Sequence, residues 1–137
     1  QVVSLGSGYD TTFFWLASRA AFEGFDNVKY VEVDYPALIG RKEAMLQQDF
    51  FKQFSSESPK HMLLGADLRK TKALQEALVA KCGVDPSLPT IIITECVLNY
   101  IRTKHVRNLL RWIPKFFVDA VSLGYDQLHP EDAFGEV

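Results

Sequence analysis

Gln1-Val2-Val3-Ser4-Leu5-Gly6-Ser7-Gly8-Tyr9-Asp10-Thr11-Thr12 is the stretch on which the fold turns. Residues 1–5 form a short, mostly apolar run, the pattern of a parallel strand buried on both faces. The run stops at Gly6, and Gly6-Ser7-Gly8-Tyr9-Asp10 reads as a turn. Thr11 and Thr12 then stand where a helix cap belongs, ahead of Phe13, Phe14, Leu16, Ala17 and Ala20. A buried strand, a glycine turn and a helix, in that order, predict the first unit of an α/β sheet.

The same alternation continues outward. Residues 29–33 (KYVEV) read as a second strand, ended by Asp34-Tyr35-Pro36, with a helix across 37–48. The stretch 50–60, with Ser55, Ser56, Ser58 and Pro59, reads as an irregular connection. Residues 61–64 form a third strand, followed by Gly65-Ala66-Asp67-Leu68 and a helix marked by Leu74, Ala77, Leu78 and Lys81. After Pro86 and Pro89 comes TIIIT at 90–94, the clearest central strand, which ends at Glu95. Val106, Leu109, Leu110, Ile113, Phe116 and Phe117 make a helical apolar stripe, with Pro114 as the expected kink. Residues 120–125 form a fifth strand, apolar enough to be central. Strands joined by helices imply right-handed crossovers and a parallel sheet with both faces covered. In such sheets ligands sit beyond the carboxyl ends of the strands, near the switch in strand order.

Bulk properties agree with one globular domain over residues 1–137, of which 47% are hydrophobic. The net charge is −2, from 15 basic and 17 acidic residues, and no basic stripe argues for nucleic acid. No apolar run is long enough to span a bilayer, and the chain opens on a strand, not on a secretory leader. Cys82 and Cys96, with His61, His105 and His129 widely spaced, give no metal-site pattern and suggest a reduced, cytoplasmic protein. A start at Gln1 in a strand and a stop at Val137 look like a piece excised from a longer protein.

Several unusual residues fall at strand ends. Gly6 and Gly8 let the backbone turn sharply and approach a ligand, or simply make a tight turn. Thr11 occupies the third glycine slot of a dinucleotide fingerprint, which weakens a nicotinamide reading. Asp34 can accept hydrogen bonds from both hydroxyls of a ribose, or cap the following helix. Asp67 can take an adenine amino group with Leu68 against the ring, or again act as a cap. Glu95 follows TIIIT directly; a carboxylate facing the cleft needs a partner, which an ammonium or sulfonium would supply. Tyr100 offers either a hydroxyl to a substrate or a packed ring with a wet tip. Cys96 reads as a buried small residue rather than a nucleophile, since no His is evident beside it.

Taken in order, these segments resemble the leucine carboxyl methyltransferase family of class I methyltransferases. The resemblance is carried by VSLGSGYDTT at 3–12, EVDYP at 32–36, GADLR at 65–69, ECVLNY at 95–100 and YDQLHPEDAFG at 125–135, and Arg41-Lys42 also fits. It implies a Rossmann-like core whose mostly parallel sheet has the order 3-2-1-4-5, with helices on both faces and the family's C-terminal strands absent from this chain. It implies an S-adenosylmethionine-dependent O-methyltransferase acting on the C-terminal leucine carboxylate of the protein phosphatase 2A catalytic subunit. It puts the methionine part of the cofactor near Gly6, Gly8 and Glu95, ribose at Asp34, adenine at Asp67 and Leu68, and Tyr100 in the substrate site as a catalytic residue. Asp126 stands where the family usually has Glu, and the family's N-terminal helices and substrate lid have no counterpart here. A related branch modifies a hypermodified guanosine, wybutosine, in transfer RNA; Cys96 favours the phosphatase branch. A cofactor-binding module without catalysis is the non-enzyme alternative, opposed by the intact set of Gly6, Gly8, Asp34 and Glu95.

Overall fold

The computed structural model describes residues 1–18, 25–48 and 61–126. The connection at 50–60, Ala20 and the end of the family-like stretch at 127–135 lie outside the described residues. Five strands, β1 (Val2–Leu5), β2 (Tyr30–Asp34), β3 (His61–Gly65), β4 (Thr90–Glu95) and β5 (Ala120–Tyr125), form one sheet in the order β3-β2-β1-β4-β5. Every pairing is parallel, as the chain's alternation of strands and helices requires. Among the described residues four helices connect them: α1 (Thr12–Ala17), α2 (Pro36–Leu46), α3 (Thr71–Cys82) and α4 (Thr103–Phe116).

The sheet is covered on both faces because its central strands are apolar on both. Val3, Leu5, Val31, Val33, Leu64 and Ile92 pack under α3 and α4 through Leu74, Leu78, Leu109, Trp112 and Ile113. On the other face Val2 and Tyr30 meet Phe13 and Phe14 of α1, with Leu46 of α2 at the margin. Trp112 Nε1 donates to Gln75 Oε1 at 3.1 Å and ties α4 to α3.

Some local expectations are corrected. In α4 it is Trp112, 8% exposed, that turns inward, whereas Leu110 is 46% exposed. The buried line runs Leu109, Trp112, Ile113, Phe117, a 3.6-residue period that leaves Leu110 to one side. Pro114 lies in the last turn, and the helix continues only to Phe116. β5, apolar in composition, is the edge of the described sheet, as the order 3-2-1-4-5 expects, with Val121, Leu123 and Tyr125 exposed. Thr11 holds the cap position of α1 without a side-chain cap bond; Asp10, one residue earlier, accepts at Oδ1 from Thr12 N at 2.9 Å and from Thr12 Oγ1 at 2.7 Å.

Strand register then sets the site. Leu5 pairs with Val33 on one side and Thr94 on the other, and Asp34 pairs with Gly65. Gly6 therefore emerges between Asp34 and Glu95 on the carboxyl rim, where the strand order reverses around β1.

Candidate functional site

The glycine turn adopts backbone that only glycine takes without strain: φ is +75° at Gly6 and +52° at Gly8. A Cβ on Gly6 would sit 2.2 Å from a Val97 methyl, so β1 can meet the 95–100 segment only because that atom is absent. A Cβ on Gly8 would meet nothing within 4 Å, so the turn's outer side is open to a ligand.

Asp34 does not cap α2. Tyr35 holds the cap position without a side-chain cap bond, and Pro36 begins the helix. Instead Asp34 Oδ2 accepts from Gly8 N at 2.8 Å and Oδ1 from Tyr35 N at 2.6 Å. Each carboxylate oxygen keeps a lone pair for a further donor. The side chain is therefore locked to the turn and still able to accept two hydroxyls.

Asp67 likewise does not cap α3, where Lys70 stands at the cap position without a side-chain cap bond. Its carboxylate takes Arg69 N at 3.0 Å, Arg69 Nε at 2.9 Å and Arg69 Nη2 at 2.8 Å. The Arg69 guanidinium holds the Asp67 carboxyl down at about 2, so this group is charged throughout the neutral range. An adenine amino group at Asp67 would share or displace this pair. Arg69 also lies 5.9 Å over the Tyr35 ring, closing that side of the rim.

Gly6, Asp34, Asp67, Leu68 and Tyr100 line one cavity of about 70 Å³, completed by Tyr35, Arg69 and Val97. Leu68 is buried and forms its apolar floor. Gly8 joins this group through its bond to Asp34. Tyr100, 71% exposed, also borders a second, open cavity of about 500 Å³ with Asn99, Arg102 and Thr103. Glu95 is exposed, and it lines a groove of about 370 Å³ between β4 and β5 rather than the first cavity. Its row beside Gly6 is as expected; its side chain is not buried and awaits no partner for that reason. Cys96, read as buried, is exposed with φ +49°; it turns the chain out of β4, its N–H donating to Tyr125 O at 2.7 Å. Asp126 Oδ1 accepts from Leu98 N at 3.2 Å and so braces the short 3-10 turn Leu98–Tyr100.

Two features were not expected from the linear sequence. Glu32, Lys42 and His61 form a buried polar group directly behind the glycine turn. Their signal is a charge in the middle of apolar strand β2 and another on the inner side of α2. The second is hidden by the net charge of −2. Arg102, Lys104, Arg107, Arg111 and Lys115 are all exposed on or beside α4, and no Asp or Glu lies between Glu95 and Asp119. Among the described residues none of the five is in an ion pair.

A parallel sheet in the order 3-2-1-4-5, with a glycine turn and an acidic residue side by side at its switch point, defines a Rossmann-like methyltransferase core. A candidate methyltransferase of Thermobifida fusca has this fold, superposing with a TM-score of 0.61 at 19% identity over 99% of this chain and 48% of its own. The family model for leucine carboxyl methyltransferase matches residues 1–114, and the chain belongs to that family. Leucine carboxyl methyltransferase 1 of Rattus norvegicus is 35% identical over all of this chain and 45% of its own length. The homologue of Arabidopsis thaliana is 35% identical, over 98% of this chain and 43% of its own. The tRNA wybutosine-synthesizing protein 4 of Rattus norvegicus is 31% identical over the whole chain and 21% of its own length. The chain thus spans less than half the length of the curated relatives it matches. Among the described residues no helix is long and apolar enough to cross a membrane.

Proposed function

We propose that this chain is the cofactor-holding core of an S-adenosylmethionine-dependent O-methyltransferase that acts on the C-terminal leucine carboxylate of the protein phosphatase 2A catalytic subunit. The observation that supports it best is the bond between Asp34 and the glycine turn within one cavity. The residues present fit the methyl donor. Asp34 retains acceptor capacity for ribose hydroxyls, Leu68 supplies an apolar floor, and the space beside Gly8 is open. Ser7 Oγ is buried in the turn with no partner among the described atoms.

S-adenosylmethionine, when bound, supplies a methyl group on a sulfonium centre. A terminal carboxylate has a pKa of about 3.3–3.7 and is already ionised at neutral pH, so no side chain here has to remove a proton. Gly6, Gly8, Asp34, Asp67 and Leu68 would hold the donor, which would supply an electrophilic methyl group to that carboxylate. What the protein contributes is alignment, which can supply roughly 7–11 kcal/mol. Tyr100 stands between the cofactor cavity and the open cavity beside it and is the residue that orients the acceptor. Tyr100→Phe keeps the ring and loses one hydrogen bond to a charged group, worth about 1.5–3 kcal/mol. Turnover is expected to fall roughly 10- to 100-fold with cofactor affinity unchanged. If calorimetry shows affinity falling instead, Tyr100 belongs to the cofactor site.

A second reading, methylation of wybutosine-pathway transfer RNA, is favoured by the carboxylate-free basic surface of α4. The test is transfer of labelled methyl from S-adenosylmethionine by the full-length protein. Its acceptors are the phosphatase subunit, the same subunit without its terminal leucine, and transfer RNA. Label on the intact subunit alone supports the proposal; label on transfer RNA alone overturns it. The reading places the protein in the cytosol, whose reducing conditions suit the free thiols Cys82 and Cys96.

A further inference from the structure

Three titratable groups are packed together on the α1–α2 face of the sheet, and the proposed chemistry uses none of them. Glu32 of β2 is fully buried. Its Oε2 pairs with Nζ of Lys42 on α2, which is 3% exposed. Its Oε1 accepts from His61 Nε2 at 2.9 Å. The His61 ring stacks on Phe13 with centroids 3.9 Å apart and interplanar angle 8°. A buried ion pair is a poor source of stability, because desolvation offsets much of the attraction and an apolar pair of like volume often does as well. Stability alone therefore leaves this network unexplained.

Lys42 Nζ has a second bond that points to the reason. It donates to the main-chain oxygen of Asp10 at 2.7 Å. Asp10 closes the glycine turn, its N–H donating to Ser7 O at 2.8 Å and its Oδ1 accepting from Thr12 N at the start of α1. Asp34 holds the same turn from the rim through Gly8 N. The turn is thus gripped at both ends, by Asp34 at Gly8 and by Lys42 at Asp10.

We propose that Lys42 is a positioning residue for cofactor binding: its ammonium, oriented by buried Glu32, fixes the Asp10 carbonyl and with it the Gly6–Asp10 turn. His61 occupies the other oxygen of Glu32, so that carboxylate keeps one orientation toward Lys42. The proposal rests on the reading of this turn as the methyl-donor site. A methionine at position 42 would fill the same volume but could not hold the carbonyl.

The test compares full-length protein, Lys42→Met and the double variant Lys42→Met with Glu32→Gln. Each is measured for S-adenosylhomocysteine Kd by calorimetry and for Tm without ligand. Lys42→Met alone strands the Glu32 charge and is expected to lower Tm. The double variant removes both charges, retains a partner for His61, and is expected to keep Tm close to that of the unaltered protein. Its Kd, measured well below Tm, is expected to rise at least tenfold. A merely structural role would move Tm and leave Kd alone. A double variant with unaltered affinity would therefore overturn the proposal, as would failure of both variants to fold, which would place the network in stability. Absence of S-adenosylhomocysteine binding by the unaltered protein would overturn the methyl-donor reading itself, and the proposal with it.

Discussion

Gly6→Ala is expected to weaken S-adenosylmethionine binding by the full-length protein more than a hundredfold and to lower its Tm by several degrees. Two effects combine. An L-residue at φ +75° pays about 1–2 kcal/mol for left-handed backbone. The added Cβ would also lie 2.2 Å from Val97 Cγ2 and 2.7 Å from Val97 Cβ, so either the turn or Val97 must move. Val97 lines the cavity and immediately precedes the 3-10 turn Leu98–Tyr100, so its displacement carries Tyr100 with it. Gly8→Ala is the matched control. It shares a positive φ, +52°, but its Cβ meets no protein atom within 4 Å, so its Tm should show only the backbone strain, and its loss of affinity should be the smaller one of a methyl group on the ligand side of the turn. Equal Tm and equal affinity for the two variants would mean that contact with Val97 does not shape the site.

Asp34→Ala is expected to raise the cofactor Kd between tenfold and several hundredfold while leaving the sheet folded. The side chain accepts from Gly8 N at 2.8 Å and Tyr35 N at 2.6 Å, and in the proposed complex from the ribose as well. Each bond to a charged acceptor contributes about 1.5–3 kcal/mol. Alanine removes the grip on the turn and the ribose acceptor at once. Asp34→Asn keeps one carbonyl oxygen and gives an intermediate loss. Calorimetry and circular dichroism on the same samples separate affinity from fold; unchanged affinity for Asp34→Ala would remove the residue from the cofactor site.

The strand–turn alternation was legible because four of the five apolar strand runs stop at a glycine or a charged residue: Gly6, Asp34, Gly65 and Glu95. Parallel pairing and the rim location of those residues follow from connections long enough to hold helices. The partners of Asp34 and Asp67 were not legible. Taken alone, each was readable as a cap, and only the three-dimensional approach of Gly8 or the local fold-back of Arg69 shows that neither is one. Trp112 in place of Leu110 was missed because an apolar stripe fixes a helix's inner face only to within a residue's rotation. Cys96 was misjudged because small thiols are usually buried, whereas this one sits at the bend that takes the chain out of β4. The Glu32–Lys42–His61 group lay beyond any local pattern, since its members stand 10 and 29 positions apart and meet only across β2, β3 and α2. Motif order supplied the family reading, which no single spacing in this chain does.

In the proposed complex the turn held between Asp34 and Lys42 receives the nucleoside of a methyl donor. A crystal structure of the full-length protein with S-adenosylhomocysteine tests it most directly. Both ribose hydroxyls are expected within hydrogen-bond distance of Asp34, the adenine over Leu68, and the sulfur facing the Gly6 side of the rim toward Tyr100. A nucleoside bound elsewhere, or one seated here with Asp34 making no contact to the ribose, would contradict it.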